Sequence, residues 1–416
     1  MRKTEKDQNN RNNIRKAVVA LLALVLMVTA FAGCGNGAEN PGSAPAPTPP
    51  AAPAPEPAPQ PEPYYWPLTG IEYGKALPGQ QDSFKYPLSV KIENTPEARP
   101  QLGIARADVV YESVTEGGIT RFNCMFQSDI PDLVGPVRSA RNSDITIVPE
   151  YNAILYFSGT NSDVWASLGA STIKNMPADI DSKSKFGQYY YLRKSTRPPE
   201  NNQAIFSPHN LYLNLGGCYQ WSMDYWGPKG WTDIDTNPST LDFGDLDPSM
   251  TTTDVTSVYM PFSEGTFNPT WTWDASTNTF LRTVDGKPFM DADPASGQVK
   301  ANNVVVLWAP EVNGPFIENK GYPLHIDMTG TNRAMVFRDG KMIEGTWVTD
   351  GTTPPRFYDA NGKEILLTPG KTWMQVLNSN SNQEPTITGP GGTVDQGTGA
   401  SGDSSSINTA QSDAFG

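Results

Sequence analysis

Between Pro41 and Pro63, eleven of 23 residues are proline, in "PAPTPPAAPAPEPAPQPEP". Proline fixes φ and lacks a backbone N–H, so neither a helix nor a central strand can run through such a stretch. The composition favours polyproline II, at about 3.1 Å per residue and a reach on the order of 70 Å. The tract divides the chain, and a folded body can begin only after it.

What precedes the tract is an export signal. Arg2, Lys3, Lys6, Arg11, Arg15 and Lys16 lead into a sixteen-residue apolar run, Ala17 to Ala32. A basic head and a short apolar core mark a secretory leader. The run is shorter than the roughly 20 residues that span a bilayer. It ends at "FAGC", which resembles the lipobox of bacterial lipoproteins with Phe31 in place of the usual Leu. That resemblance implies cleavage before Cys34 and a lipid on its sulfur. Two or more acyl chains, at about 0.8 kcal/mol per buried methylene, give a stable anchor. The other reading is an uncleaved membrane helix, and both place the remainder on the outer face of the cell membrane, with the proline tract as a stalk.

Charge narrows the partners. Removing residues 1–33 leaves 25 of 31 Lys/Arg and 42 of 44 Asp/Glu, a net charge of −17. A body this acidic is not built for nucleic acid, nor for general adhesion to anionic polymers. Any bound anion must be gripped locally. Two histidines, His209 and His325, and no CxxC or HExxH give no zinc motif, and no cofactor is expected. Cys124 and Cys218 allow one bridge or two thiols; the position of Cys124 inside an alternating strand pattern favours thiols.

The predicted organisation is a leader (1–33), a lipidated spacer (34–63), an N-terminal α+β domain (64–226), a Gly/Pro/Asp/Thr-rich linker (227–250), an all-β C-terminal domain (251–377) and a disordered tail (378–416). In the N-terminal part "YPLSVKIEN", "DVVYESVTE", "TRFNCMFQ" and "NAILYFSG" read as strands. "SDITIVPEY", "SDVWASLG" and "SPHNLYLNL" read as short capped helices. Together they predict a mixed or antiparallel sheet with helices. Beyond residue 250 the segments are strand-like throughout, punctuated by Asp285-Gly286, Asp339-Gly340 and Asn361-Gly362 turns.

Several phrases resemble the YerB-like lipoprotein family. "ARPQLGIARADVVYESVTEGGITRF", "VGPVRSAR" and "SPHNLY" are similar to its N-terminal domain. "TFLRTVDGKPFMDADPASGQ", "VVVLWAP", "AMVFRDGKMIEGTW" and "LTPGKTWMQV" are similar to its C-terminal domain. The resemblance spans Leu68 to Leu377 in order. It implies a lipid-anchored extracytoplasmic protein, typically of Gram-positive bacteria, with a layered α+β N-terminal domain. It supplies no function and no catalytic residues.

The candidate site is therefore read from chemistry. Arg138 and Arg141, in "VGPVRSARNSDI", sit at a predicted helix entry, where free N–H groups and the dipole favour an anion. Arginine adds a fork matched to carboxylate or phosphate. Glu112 and Glu116, four apart in a predicted strand, would share a face. With Arg121 they can instead close a structural ion cluster. A glycosidase pair would need carboxyls roughly 5–9.5 Å apart, against α-carbons about 13 Å apart at this spacing. His209 is a candidate base or donor beside the arginines, and Asn94 a candidate ligand contact at a strand end. SxxK matches at Ser171–Lys174 and Ser182–Lys185 lack the companion motifs of a penicillin-binding protein. The aromatic runs Tyr64–Trp66, Gln188–Leu192 and Cys218–Trp226 suit packing, and suit glycan stacking if exposed.

The expectation is a non-enzymatic envelope lipoprotein that binds an anionic cell-wall-related ligand or a membrane-protein partner, the partner being a cell-wall glycan or an envelope protein. A wall hydrolase using Glu112 and Glu116, or a structural scaffold, are the alternatives.

Overall fold

The computed structural model describes residues 60–76, 86–178, 190–199, 203–226, 240–263, 267–315, 317–318 and 321–394. The leader, Cys34, nearly all of the proline tract and Ser182–Lys185 lie outside them.

Strand predominates, and one sheet of eleven strands organises the body. Its members are β1 (Leu88–Glu93), β2 (Val109–Val114), β3 (Thr120–Phe126), β4 (Ile154–Phe157) and β5 (Asn175–Pro177), then β6 (Thr253–Asp254), β7 (Asn303–Ala309), β8 (Gly330–Arg338), β9 (Lys341–Thr349), β10 (Arg356–Asp359) and β11 (Thr372–Asn378). They lie in the order β6-β9-β8-β7-β11-β2-β3-β1-β4-β5, with β10 beside β9. The expected N-terminal and C-terminal domains thus share a sheet instead of owning separate ones. The junction is β11, which pairs in parallel with β7 on one side and with β2 on the other. An unpaired central strand edge would leave a row of backbone groups without partners, and this insertion removes it.

Period-two alternation then assigns each strand residue to a face. Val109, Tyr111, Met125, Leu155, Phe157, Val305, Leu307, Met374 and Val376 lie in one core with two helices, α1 (Asn142–Glu150) and α2 (Ser162–Ala170), through Ile147, Val148, Val164 and Leu168. The alternate residues, among them Val90, Val110, Phe122, Cys124, Val304, Val306 and Trp373, meet a second core. Its other wall is an antiparallel seven-stranded sheet carrying Val258, Trp271 and Phe280, together with Leu215 and Cys218 of a third helix, α3 (Leu215–Trp226). Each large side chain sealed this way contributes about 1.5–3 kcal/mol. Cys124 and Cys218 are buried free thiols.

Two sequence readings are corrected. "SPHNLYLNL" does not make a short helix at His209; Leu211–Asn214 is a strand and the helix starts at Leu215. Leu211 and Leu213 are apolar and buried on a strand's alternation, with Leu213 paired to both Tyr191 and Val134. The tail does not lose order at 378. Thr386–Gly389 adds to the second sheet, Val258 pairs with Ile387, and Ile387 is fully buried. One isoleucine between threonines was too short a pattern to stand out. Asp285-Gly286 and Asp339-Gly340 both adopt positive φ and close two-residue hairpins, as their chemistry demands.

At the end of α1, burial pushes the Glu150 carboxyl up to about 8, against an ordinary value of 4.5. Thr349 Oγ1 lies 2.8 Å from both Glu150 Oε1 and the Thr353 carbonyl oxygen. A single hydroxyl proton cannot serve both acceptors, and a neutral Glu150 that donates to Thr349 resolves the conflict. The folded state holds one proton more than the unfolded state between pH 4.5 and about 8, so stability falls as pH rises through that window. Glu150→Gln should therefore be the more stable form by roughly 1–3 kcal/mol at pH 8.5, with no difference at pH 4, in urea unfolding. Equal midpoints at both pH values would refute it.

Candidate functional site

The strands β7, β11, β2, β1, β4 and β5 all run the same way, with β3 opposed. Their carboxyl ends form one edge of the sheet, where open α/β sheets place ligands. Asn94, Glu112, Glu116, Arg121, Arg138, Arg141 and His209 lie on or near that edge, but in two separate networks.

The first network is sealed. Glu112 is fully buried and receives two hydrogen bonds from Arg282, Nη1 to Oε2 at 2.8 Å and Nη2 to Oε1 at 3.0 Å. Arg282 comes from the second sheet, and its guanidinium lies 4.7–5.5 Å from the rings of Phe122, Trp271, Phe289 and Trp373. Thr120 donates to Glu112 Oε1 at 2.9 Å, and Asn94 Nδ2 donates to the same oxygen at 3.3 Å. Arg99 holds Asn94 in turn, at 3.0 Å. Glu112 and Asn94 are structural, with no exposure for a ligand. The expected pairing of Glu112 with Glu116 fails for a local reason. β2 ends at Val114, so Glu116 lies in a one-turn helix beyond it, where strand alternation no longer applies.

The second network holds the arginines. Arg138 Nη2 donates to Glu93 Oε1 at 2.9 Å; the His209 Nδ1 atom is 2.8 Å from that oxygen, and Thr95 Oγ1 donates to it at 2.9 Å. Arg141 donates from Nε and Nη2 to Glu116 Oε2, at 2.9 and 2.6 Å, and from Nη1 to the Ala140 carbonyl at 2.8 Å. The entry of α1 is already occupied by an anion of the protein's own. Asp144 accepts from the Arg141 backbone N–H at 2.7 Å, from Lys91 Nζ at 2.9 Å and from Asn123 at 2.7 Å. The helix start offered to a ligand thus serves a buried Lys91–Asp144 pair. Arg121, between these groups, makes one hydrogen bond, to the Ser139 carbonyl at 3.2 Å, and its buried Nε has no partner. Burial, then Arg141 and Arg138, bring its pKa down to about 9.

Glu93, Lys91 and Asp144 were missed by sequence reasoning. The signal was present in "LSVKIE", where Ser89, Lys91 and Glu93 interleave with apolar Leu88, Val90 and Ile92 although the strand is buried on both faces. The SxxK match at Ser171 is a turn: the Ser171 hydroxyl donates to the Leu168 carbonyl at 3.0 Å, and Lys174 lies over the Tyr86 ring.

A sheet joined from two sequence halves, with charged residues gathered at its carboxyl edge, defines a two-domain architecture. The halves match the two family models described as "Protein of unknown function (DUF3048)", the N-terminal domain over residues 73–222 and the C-terminal domain over residues 258–374. The chain belongs to this YerB-like family. It is 28% identical over 319 residues to "Putative lipoprotein YerB" of Bacillus subtilis (strain 168), covering 75% of this chain and 85% of that one. The crystal structure of the YerB protein from Bacillus subtilis aligns with a TM-score of 0.59 at 26% identity, over 76% of this chain and 96% of that chain. Among the described residues, no helix is long and apolar enough to cross a membrane.

Removing one member of a buried ion pair strands the other's charge, at a cost of about 3–5 kcal/mol. Arg282→Met should lose that much in chemical unfolding, and adding Glu112→Leu should restore most of it. A loss under about 1 kcal/mol for the single change would contradict the role given to the pair.

Proposed function

We propose that this protein is a lipid-anchored component of the cell envelope, held through Cys34, that binds an anionic cell-wall-related ligand without turning it over. One observation carries the reading. At the sheet's carboxyl edge Lys91, Arg121, Arg138 and Arg141 face three carboxylates, Glu93, Glu116 and Asp144, and the unmatched charge is Arg121. A buried guanidinium that loses affinity for its proton is short of a counter-ion, and an arriving carboxylate or phosphate supplies one. Arg138, whose side chain is 23% exposed and whose Nε has no partner, gives the approach. Arg141 is committed to Glu116 and frames the site. His209 orients Glu93. The acidic body repels anions elsewhere, which leaves recognition to this notch.

The hydrolase reading loses its second carboxylate, since Glu112 is enclosed and held by Arg282. A scaffold role is the second reading, and the occupation of Arg138 and Arg141 by the protein's own acids favours it.

Titration calorimetry with soluble muropeptides bearing free carboxylates separates the two. Arg121→Gln and Arg138→Ala should each weaken binding at least tenfold, with far-ultraviolet circular dichroism unchanged. Wild-type protein that binds neither muropeptides nor phosphate-bearing wall polymers would leave the scaffold reading in place.

A further inference from the structure

A cleft of about 490 Å³ opens beside this notch, at the carboxyl ends of β7, β11 and β2. That volume is within the range of small-molecule sites. Its walls are the loop after β2, the end of β11 and a hairpin of Glu311–Asn313 with Leu324–Ile326. Glu116 lines it with its hydrogen-bonding capacity used: Oε2 holds Arg141, and Oε1 receives the Leu324 N–H at 3.3 Å. Glu311 is different. Its Oε1 is buried and has no partner, and burial pushes the carboxyl up to about 7. Tyr322, half-exposed, and Phe262 supply aromatic surface to the lining. Gly117 and Gly118, both at positive φ, leave the β2 loop without side chains, so a ligand can approach its backbone.

We propose that the cleft binds an uncharged pyranose unit of an oligosaccharide, stacked on Tyr322 with a hydroxyl shared with Glu311. A hydroxyl donates and accepts, which suits an acid near its midpoint. An aromatic face beside a polar group is the arrangement that holds a ring with apolar C–H faces and a hydroxyl rim. The hairpin that carries both residues is latched to the start of α2 by His325 with Asp163 and by Glu318, which accepts the Ser162 N–H at 2.7 Å. The cleft wall is thereby fixed. The inference goes beyond the anion notch and does not require it.

Calorimetry on the full chain in detergent micelles, with the neutral, fully N-acetylated chitotetraose as the probe at pH 6, tests the proposal. Tyr322→Ala and Glu311→Ala should each reduce affinity at least tenfold with the thermal midpoint unchanged. Glu311→Gln, which keeps a donor and an acceptor, should stay within about threefold of wild type. Arg121→Gln should leave tetramer binding as it was. No tetramer binding, or binding indifferent to both alanine variants, overturns the proposal. Muropeptide binding that depends on Arg121, alongside no tetramer binding, would overturn it while leaving the anion reading standing. The reverse pattern would remove the anion reading alone.

Discussion

The buried pair of Glu112 and Arg282 is the constraint around which the two halves are joined. A carboxylate on β2 and a guanidinium on the second sheet are each costly out of water, and neither half can bury its own member alone. The bidentate geometry, the Thr120 and Asn94 donors and the four surrounding rings make burial tolerable only when both sheets are in register. The same packing sets β11 between β7 and β2, so the pair and the continuous sheet depend on each other.

That arrangement has a consequence for the edge where ligands would meet the protein. Because six strands point the same way, their ends bring residues from distant parts of the chain to one border. Glu93, Glu116, Arg121 and Arg138 come from the first third of the folded body, and Glu311 and Tyr322 from the last. Most of the charge on that border is spent on itself. Asp144 fills the helix entry, Glu116 fills the fork of Arg141, and Glu93 gathers Arg138, His209 and Thr95 around one oxygen. Unmet hydrogen-bonding capacity remains on Arg121 Nε, Arg138 Nε and Glu93 Oε2 in the notch and on Glu311 Oε1 in the cleft. Orphaned buried polar atoms are uncommon in native proteins, and the one on Glu311, in the lining of the cleft, is a reason for reading the cleft as a site.

Much of the fold was legible. The four N-terminal strands, two of the three short helices and the strand-like run beyond residue 250 fall where period and Asp-Gly turns put them, although neither helix is capped by the serine expected to do so. The misreadings share a cause. "SPHNLYLNL" carries both a capping signal and an alternating one, and its pairing with Val134 and Tyr191 decided for strand. "TITG" is too short to signal anything until Val258 offers it an edge. At the site, Arg121, Arg138, Arg141, Glu116 and His209 do gather, whereas Glu112 and Asn94 belong to the sealed network. Counting alternation past Val114 put Glu112 and Glu116 on one face, and the chain had already left the strand.

The sequence by itself determined which segments extend and where they turn, and it carries a basic head, a short apolar run and a "FAGC" phrase that resemble a lipoprotein leader. These are local matters, set by proline's missing donor, by apolar run length and by period-two alternation. Only the tertiary structure decided which charges meet. Glu112 and Arg282 are 170 residues apart, and Glu116 and Arg141 are 25 apart. Strand order and the faces they share bring such pairs together, and no local periodicity encodes that order.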